Sequence, residues 1–191
     1  SEIEAAADTL ISSNNPMIWA GSGVLFSGSS DALRELSRLT SIPVFCTMPG
    51  KSGFDERDPL SLGSGCGTTT LMAHEWLKDS DVILALGSSL TRSPYAQAIP
   101  KGKILIQNTN NPNDINKDES IQISLVGDTK LTIDQLIKAI KQKTKNRGFG
   151  DPEKIASKIK TKKESWLAEW HDSLNSEEEP ITYYRVIEEI N

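Results

Sequence analysis

Ala20-Gly21-Ser22-Gly23 is a glycine turn set directly behind the apolar run of residues 17–20. Glycines so placed let a backbone approach a phosphate, and amides at a helix start favour its negative charge. The dinucleotide pattern is incomplete. Phe26 stands where the third glycine of GxGxxG belongs, and no acidic residue ends the second strand to hold a ribose hydroxyl. A purely structural tight turn is as good a reading of these residues as a nucleotide site. The other reactive side chains are isolated. Cys46 closes an apolar run and Cys66 lies between glycines, with no CxxC spacing and no nearby His, so both read as buried, inert thiols. His74 and His171 have no partner at ligand spacing and read as surface or helix-packing residues.

The elements that position the glycine turn follow from periodicity. Ile3, Ala6, Ala7, Leu10 and Ile11 recur at helical spacing, so residues 2–12 read as an amphipathic helix. Residues 17–20 read as a buried strand, and Ser30 as the cap of a helix that turns Leu33, Leu36 and Leu39 inward. Residues 43–46 form the next strand. Residues 48–67 are rich in Gly, Pro and Ser without periodicity, and read as a loop whose length hints at function. A helix over 68–79 leads into the unbroken apolar run 82–86, which suits a central parallel strand covered on both faces. Residues 104–106 repeat that pattern. Ile121, Ile123 and Leu125 alternate with polar residues as an edge strand does, and Asp128 caps a helix through about Lys143. Alternating strands and helices predict an α/β fold with a doubly wound parallel sheet.

Composition changes at residues 146–150, which predicts a division into a domain over 1–146 and a connector over 147–191. Asp151-Pro152 starts a Lys/Glu-rich helix with Trp166 and Trp170 one turn apart, a pairing that predicts docking against an apolar surface. A polar break over 175–180 separates it from residues 181–190. The 191 residues suffice for one full core. With a net charge of −5 and no apolar run near the roughly 20 residues a membrane helix needs, a soluble, cytoplasmic protein is expected, without nucleic-acid or membrane partners.

The order of signals is more specific than any one of them. Pro-Met-Ile-Trp-Ala-Gly-Ser-Gly at 16–23, Pro-Val-Phe-Cys-Thr-Met-Pro-Gly-Lys-Ser-Gly-Phe at 43–54, Pro-Leu-Ser-Leu-Gly-Ser-Gly-Cys-Gly at 59–67, residues 81–87 and Val126-Gly127-Asp128 resemble the middle domain of thiamine diphosphate enzymes. The resemblance covers roughly residues 1–142 and is nearest the acetolactate synthase-like branch. It implies a Rossmann-like, six-stranded, mostly parallel sheet that holds FAD, ADP or no nucleotide, followed here by a C-terminal helical connector. A nucleotide held in that way would meet Gly21, Ser22, Gly23, Gly87 and Ser88, with Arg92, Thr109 and Asn111 nearby. Two departures touch that expectation. Ser89 stands where the branch carries an Arg, with Arg92 close by as a substitute, and the branch's acidic pair falls on Thr109 and Asn111.

The resemblance further implies thiamine diphosphate and magnesium held by other domains: a catalytic Glu in a preceding pyrimidine-binding domain, and Gly-Asp-Gly with a downstream Asn in a following diphosphate-binding domain. Gly127-Asp128-Thr129 reads as an Asp-capped strand-to-helix turn, not as that motif. The expectation is therefore a transferase-type fragment that is not catalytic alone, stopping near Pro180 as the catalytic region opens and partnered by other domains and subunits of a homo-oligomer. Two rivals stay open: a free-standing NAD-linked enzyme or deacylase, which lacks a positioned acid/base His here, and a noncatalytic partner-binding module.

Overall fold

Met17–Ala20 (β1) and Val82–Leu86 (β4) lie side by side in parallel, and every residue of both strands is buried. Such runs need apolar cover on both faces, because successive side chains point to opposite sides. A computed structural model describes residues 1–190 and supplies that cover. Ile18, Ala20, Val82, Leu84 and Leu86 face one cluster, while Met17, Trp19, Ile83 and Ala85 face another.

The sheet has six parallel strands in the order β3-β2-β1-β4-β5-β6, completed by Val44–Thr47 (β2), Ser61–Gly65 (β3), Ile104–Thr109 (β5) and Ile123–Val126 (β6). Neighbouring registers are in phase, with Ile18 opposite both Val44 and Leu84. Helices Glu2–Ser12 (α1), Ser30–Thr40 (α3) and Thr129–Lys143 (α5) cover the first face through Ala6, Leu10, Leu33, Leu36, Ile133 and Ile140. Leu71–Asp79 (α4) covers the second face through Met72, Ala73, Trp76 and Leu77. The fold is thus the doubly wound α/β sheet that alternation in the sequence predicts.

Four local readings are corrected. Residues 61–65, read as part of a loop, form the edge strand β3; its polar, glycine-rich composition hides it, and only Leu62 is buried apolar. Gly63 takes φ +84°, which accompanies the register shift between Val44 and Cys46 along this pair. A five-residue helix, Ser22–Phe26 (α2), stands between β1 and α3 where the sequence reads as a plain turn. Ser29, not Ser30, occupies the cap position of α3, and its hydroxyl donates back to the Val24 carbonyl. At α4, Thr70 is the cap: its hydroxyl accepts from the Ala73 amide and donates to the Leu62 carbonyl, so the helix starts after residue 68.

Beyond α5 the chain stays attached. The Phe149 amide donates to the Leu39 carbonyl at 3.1 Å and the Ser41 hydroxyl to the Phe149 carbonyl at 3.2 Å. The helix Pro152–Glu169 (α6), capped by Asp151, then lies against α4. Ile159 is buried in the second cluster and Trp166 packs against it. Lys158 Nζ sits 4.3 Å from the centroid of the Trp76 ring, and Lys162 pairs with Glu75. Trp170 differs from Trp166: at the end of α6 it stacks on Tyr184, ring centroids 5.2 Å apart. His171–Leu174 (α7) and Tyr183–Ile190 (α8) follow, and α8 leaves Val186, Ile187 and Ile190 exposed. No helix among the described residues is long and apolar enough to cross a membrane.

Candidate functional site at the carboxyl edge of the sheet

The chain leaves β1 toward β2 and leaves β4 toward β5, so the turns behind β1 and β4 diverge at the switch point where open α/β sheets receive ligands. Five of the predicted residues meet there. Gly21, Ser22 and Gly23 follow β1, and Gly87 and Ser88 follow β4. The two turns touch backbone to backbone: the Gly21 amide donates to the Leu86 carbonyl and the Gly23 amide to the Gly87 carbonyl, both at 2.9 Å. A Cβ on Gly23 would stand 2.6 Å from Gly87 Cα, and one on Gly50, behind β2, would stand 2.6 Å from the Ala20 carbonyl oxygen. Glycine is required at these positions for contact between backbones, and at Gly87 also for φ +58°.

The remaining predicted residues also have partners. The Thr109 hydroxyl donates to Asp114 Oδ2 at 2.9 Å and accepts from the Asn111 amide. Asn111 Oδ1 accepts from the Asn113 amide, capping the short turn Pro112–Asp114. Arg92 makes two bonds to Glu119, at 2.7 and 3.1 Å, and these raise its guanidinium above its ordinary value.

The central polar residue of the edge is one that spacing does not reveal. Asn108 is wholly buried; its Oδ1 accepts from the Gly87 amide at 3.1 Å, and its Nδ2 donates to the Leu125 and Gly127 carbonyls and the Thr132 hydroxyl. One side chain thereby ties together the turns behind β4 and β6 and the first turn of α5. Its neighbour Gln107, also wholly buried, donates to the Ser88 carbonyl at 3.0 Å, while its Oε1 has no hydrogen-bond partner. The available signal was the polar pair Gln107-Asn108 at the end of an otherwise apolar strand. The edge also carries exposed apolar side chains at the strand ends and on the short segments behind them: Phe26 at 89%, Leu131 at 61%, Val126 at 53% and Met48 at 50%.

Catalytic equipment is sparse. No group of three His, Cys, Asp or Glu side chains is gathered as metal ligands among the described residues. A surface depression of about 500 Å³ lies between α3 and α5, but its charged groups are already paired, Arg34 with Asp31 and Lys141 with Glu35.

Residues 3–136 match the family model described as "Thiamine pyrophosphate enzyme, central domain". The chain belongs to this family. A relative named "Probable acetolactate synthase large subunit" from Methanocaldococcus jannaschii is 32% identical over 169 residues, 87% of this chain and 26% of that protein. An "Acetolactate synthase large subunit" from Cyanidium caldarium is 27% identical over 175 residues, 90% of this chain and 30% of that one. The crystal structure of benzoylformate decarboxylase from Polynucleobacter necessarius superposes with a TM-score of 0.64 at 22% identity, over 79% of this chain and 28% of that chain. At that identity the superposition speaks for the fold alone. The chain therefore spans between a quarter and a third of the length of these relatives. It is a thiamine pyrophosphate enzyme central domain resembling that of acetolactate synthase.

Proposed function

We propose that this central domain is the scaffold and interface of a thiamine diphosphate-dependent enzyme that decarboxylates a 2-oxo acid such as pyruvate and passes the product to an acceptor. Residues 1–146 form the domain proper, and residues 147–191 the connector toward a diphosphate-binding domain. The whole enzyme is a cytoplasmic homo-oligomer in which other domains hold thiamine diphosphate and magnesium. The cofactor supplies the carbanion chemistry; this chain supplies position and contact.

The observation that carries the reading is the apolar carboxyl edge. Phe26, 89% exposed, shares the edge with Leu131, Val126 and Met48 beside a glycine junction whose Gly21, Gly23 and Gly87 amides are bonded within the chain. A large exposed aromatic beside further apolar side chains is what an interface requires and a catalytic cleft does not. The other domains of the same enzyme are the covering surface.

Calorimetric titration with thiamine diphosphate in the presence of magnesium tests this. The complete polypeptide encoded by the gene binds one cofactor per active site, and the 191-residue chain alone binds none. Saturable, magnesium-dependent binding by the chain alone would overturn the proposal.

A further inference from the structure

The carboxyl edge is where FAD or ADP would lie in a domain of this kind, and its geometry bears on whether this chain takes one. Phosphate recognition at such an edge depends on amides without internal acceptors and on room for the phosphate between the turns. Four of the five predicted cradle amides already donate within the chain: Gly21 to the Leu86 carbonyl, Gly23 to the Gly87 carbonyl, Gly87 to Asn108 Oδ1 and Ser88 to the Asn108 carbonyl. Ser22 is the exception, and it opens a helix of only five residues. Room is absent as well, since the Gly21–Gly23 and Gly87 backbones are in van der Waals contact.

The side chains tell the same story. Thr109 and Asn111, at the positions where acidic ribose anchors are implied, both bond Asp114. Arg92, the substitute for the missing Arg at Ser89, is held by Glu119 and by its own amide's bond to Asp118. Gln107 Oε1 is the polar atom here without a partner, but it lies wholly buried in the core, out of reach of a ligand at the surface.

We infer that this chain binds neither FAD nor ADP at the carboxyl edge, and that Asn108, with the Gly87 turn, joins the strand ends by internal hydrogen bonds where a nucleotide would otherwise join them. The inference depends on the central-domain reading for the ligands it excludes. Its test reads binding, not turnover, so an enzyme that decarboxylates pyruvate while holding no nucleotide satisfies both.

The experiment uses the 191-residue chain and, in parallel, the complete polypeptide. Each is denatured and its supernatant analysed by mass spectrometry for FAD and ADP; melting is then followed with either nucleotide added at millimolar concentration. Neither nucleotide copurifies, and the melting temperature does not move, whereas a ligand present at about 100 times its dissociation constant would raise it by several degrees. Hydrogen exchange adds an independent readout: the Gly21, Gly23, Gly87 and Ser88 amides are protected without ligand, and addition of FAD or ADP leaves their rates unchanged. A stoichiometric copurifying nucleotide, a saturable rise in melting temperature, or amides that exchange freely until nucleotide protects them would each overturn the inference.

Discussion

Gly23 and Gly87 meet so closely that a Cβ added to Gly23 would stand 2.6 Å from Gly87 Cα and 3.0 Å from the Gly87 carbonyl oxygen. Neither backbone yields without breaking the bond between them, so Gly23→Ala, although favourable to helix propensity in α2, lowers stability by about 1–3 kcal/mol. Gly28→Ala provides the contrast. Nothing lies within 4 Å of its Cβ position, and its cost comes from φ +62° alone, about 1 kcal/mol. Urea midpoints of the two variants rank them in that order.

Asn108→Ala removes the acceptor of the Gly87 amide and the donor to the Leu125 and Gly127 carbonyls in a place water does not reach. Unsatisfied buried groups cost about 1–3 kcal/mol each, so the variant loses on the order of 3 kcal/mol or more. Asn108→Asp also fails to restore stability, because a carboxylate cannot donate to those carbonyls. Equal stability of Asn108→Asp and wild type in chemical denaturation would contradict the role given to Nδ2.

Asp81 closes the turn between α1 and β1 by accepting from the Asn14 amide at 2.7 Å and the Asn15 amide at 3.0 Å. Partial burial pushes its carboxyl up, but the Asn14 and Asn15 amides outweigh burial and hold it below its usual range. A carboxyl with a depressed folded value stabilises above its unfolded pKa, about 3.9, and that stability is lost as pH falls through the folded value. Asp81→Asn is therefore less stable than wild type at pH 7, and the gap narrows below about pH 4. A gap that stays constant from pH 7 down to acid unfolding would contradict the assignment.

The two thiols separate by reactivity, and the reading of Cys66 as buried and inert is corrected, since only Cys46 is buried. Burial pushes Cys46 up to about 11, and the residue is 2% exposed; Cys66 is partly exposed and lowered by hydrogen bonds from Thr68. Alkylation by iodoacetamide at pH 8, followed by peptide mass spectrometry, labels Cys66 first and Cys46 only on unfolding.

Much of the fold was legible because β1 and β4 are continuous apolar runs and α3 and α5 carry clear apolar stripes. β3 was not legible: Ser61, Gly63, Ser64 and Gly65 leave only Leu62 to signal burial, and the strand exists because β2 supplies its ladder. The glycines of the carboxyl edge were legible as a turn, yet their use was not. Whether Gly21 and Gly23 face a phosphate or the backbone of Gly87 depends on a strand 60 residues or more along the chain, which spacing alone cannot supply. Asn108 escaped notice for the same reason, since three separate segments define its partners. The tryptophans divided on length of reach: Trp166 packs against the second core cluster, while Trp170 sits where α6 ends and meets Tyr184 instead. Trp166→Ala accordingly costs about 2 kcal/mol in thermal or chemical denaturation, and Trp170→Ala, which loosens only α8, costs less than half of that.

The central claim, a positioning domain in a thiamine diphosphate-dependent enzyme, meets its most direct test in carbon dioxide release from pyruvate with thiamine diphosphate and magnesium present. The measurement compares the 191-residue chain with the complete polypeptide of its gene. Release by the complete polypeptide and none above the uncatalysed background by the chain is the predicted result; turnover by the chain alone, or a complete polypeptide inert toward every 2-oxo acid offered, would contradict it.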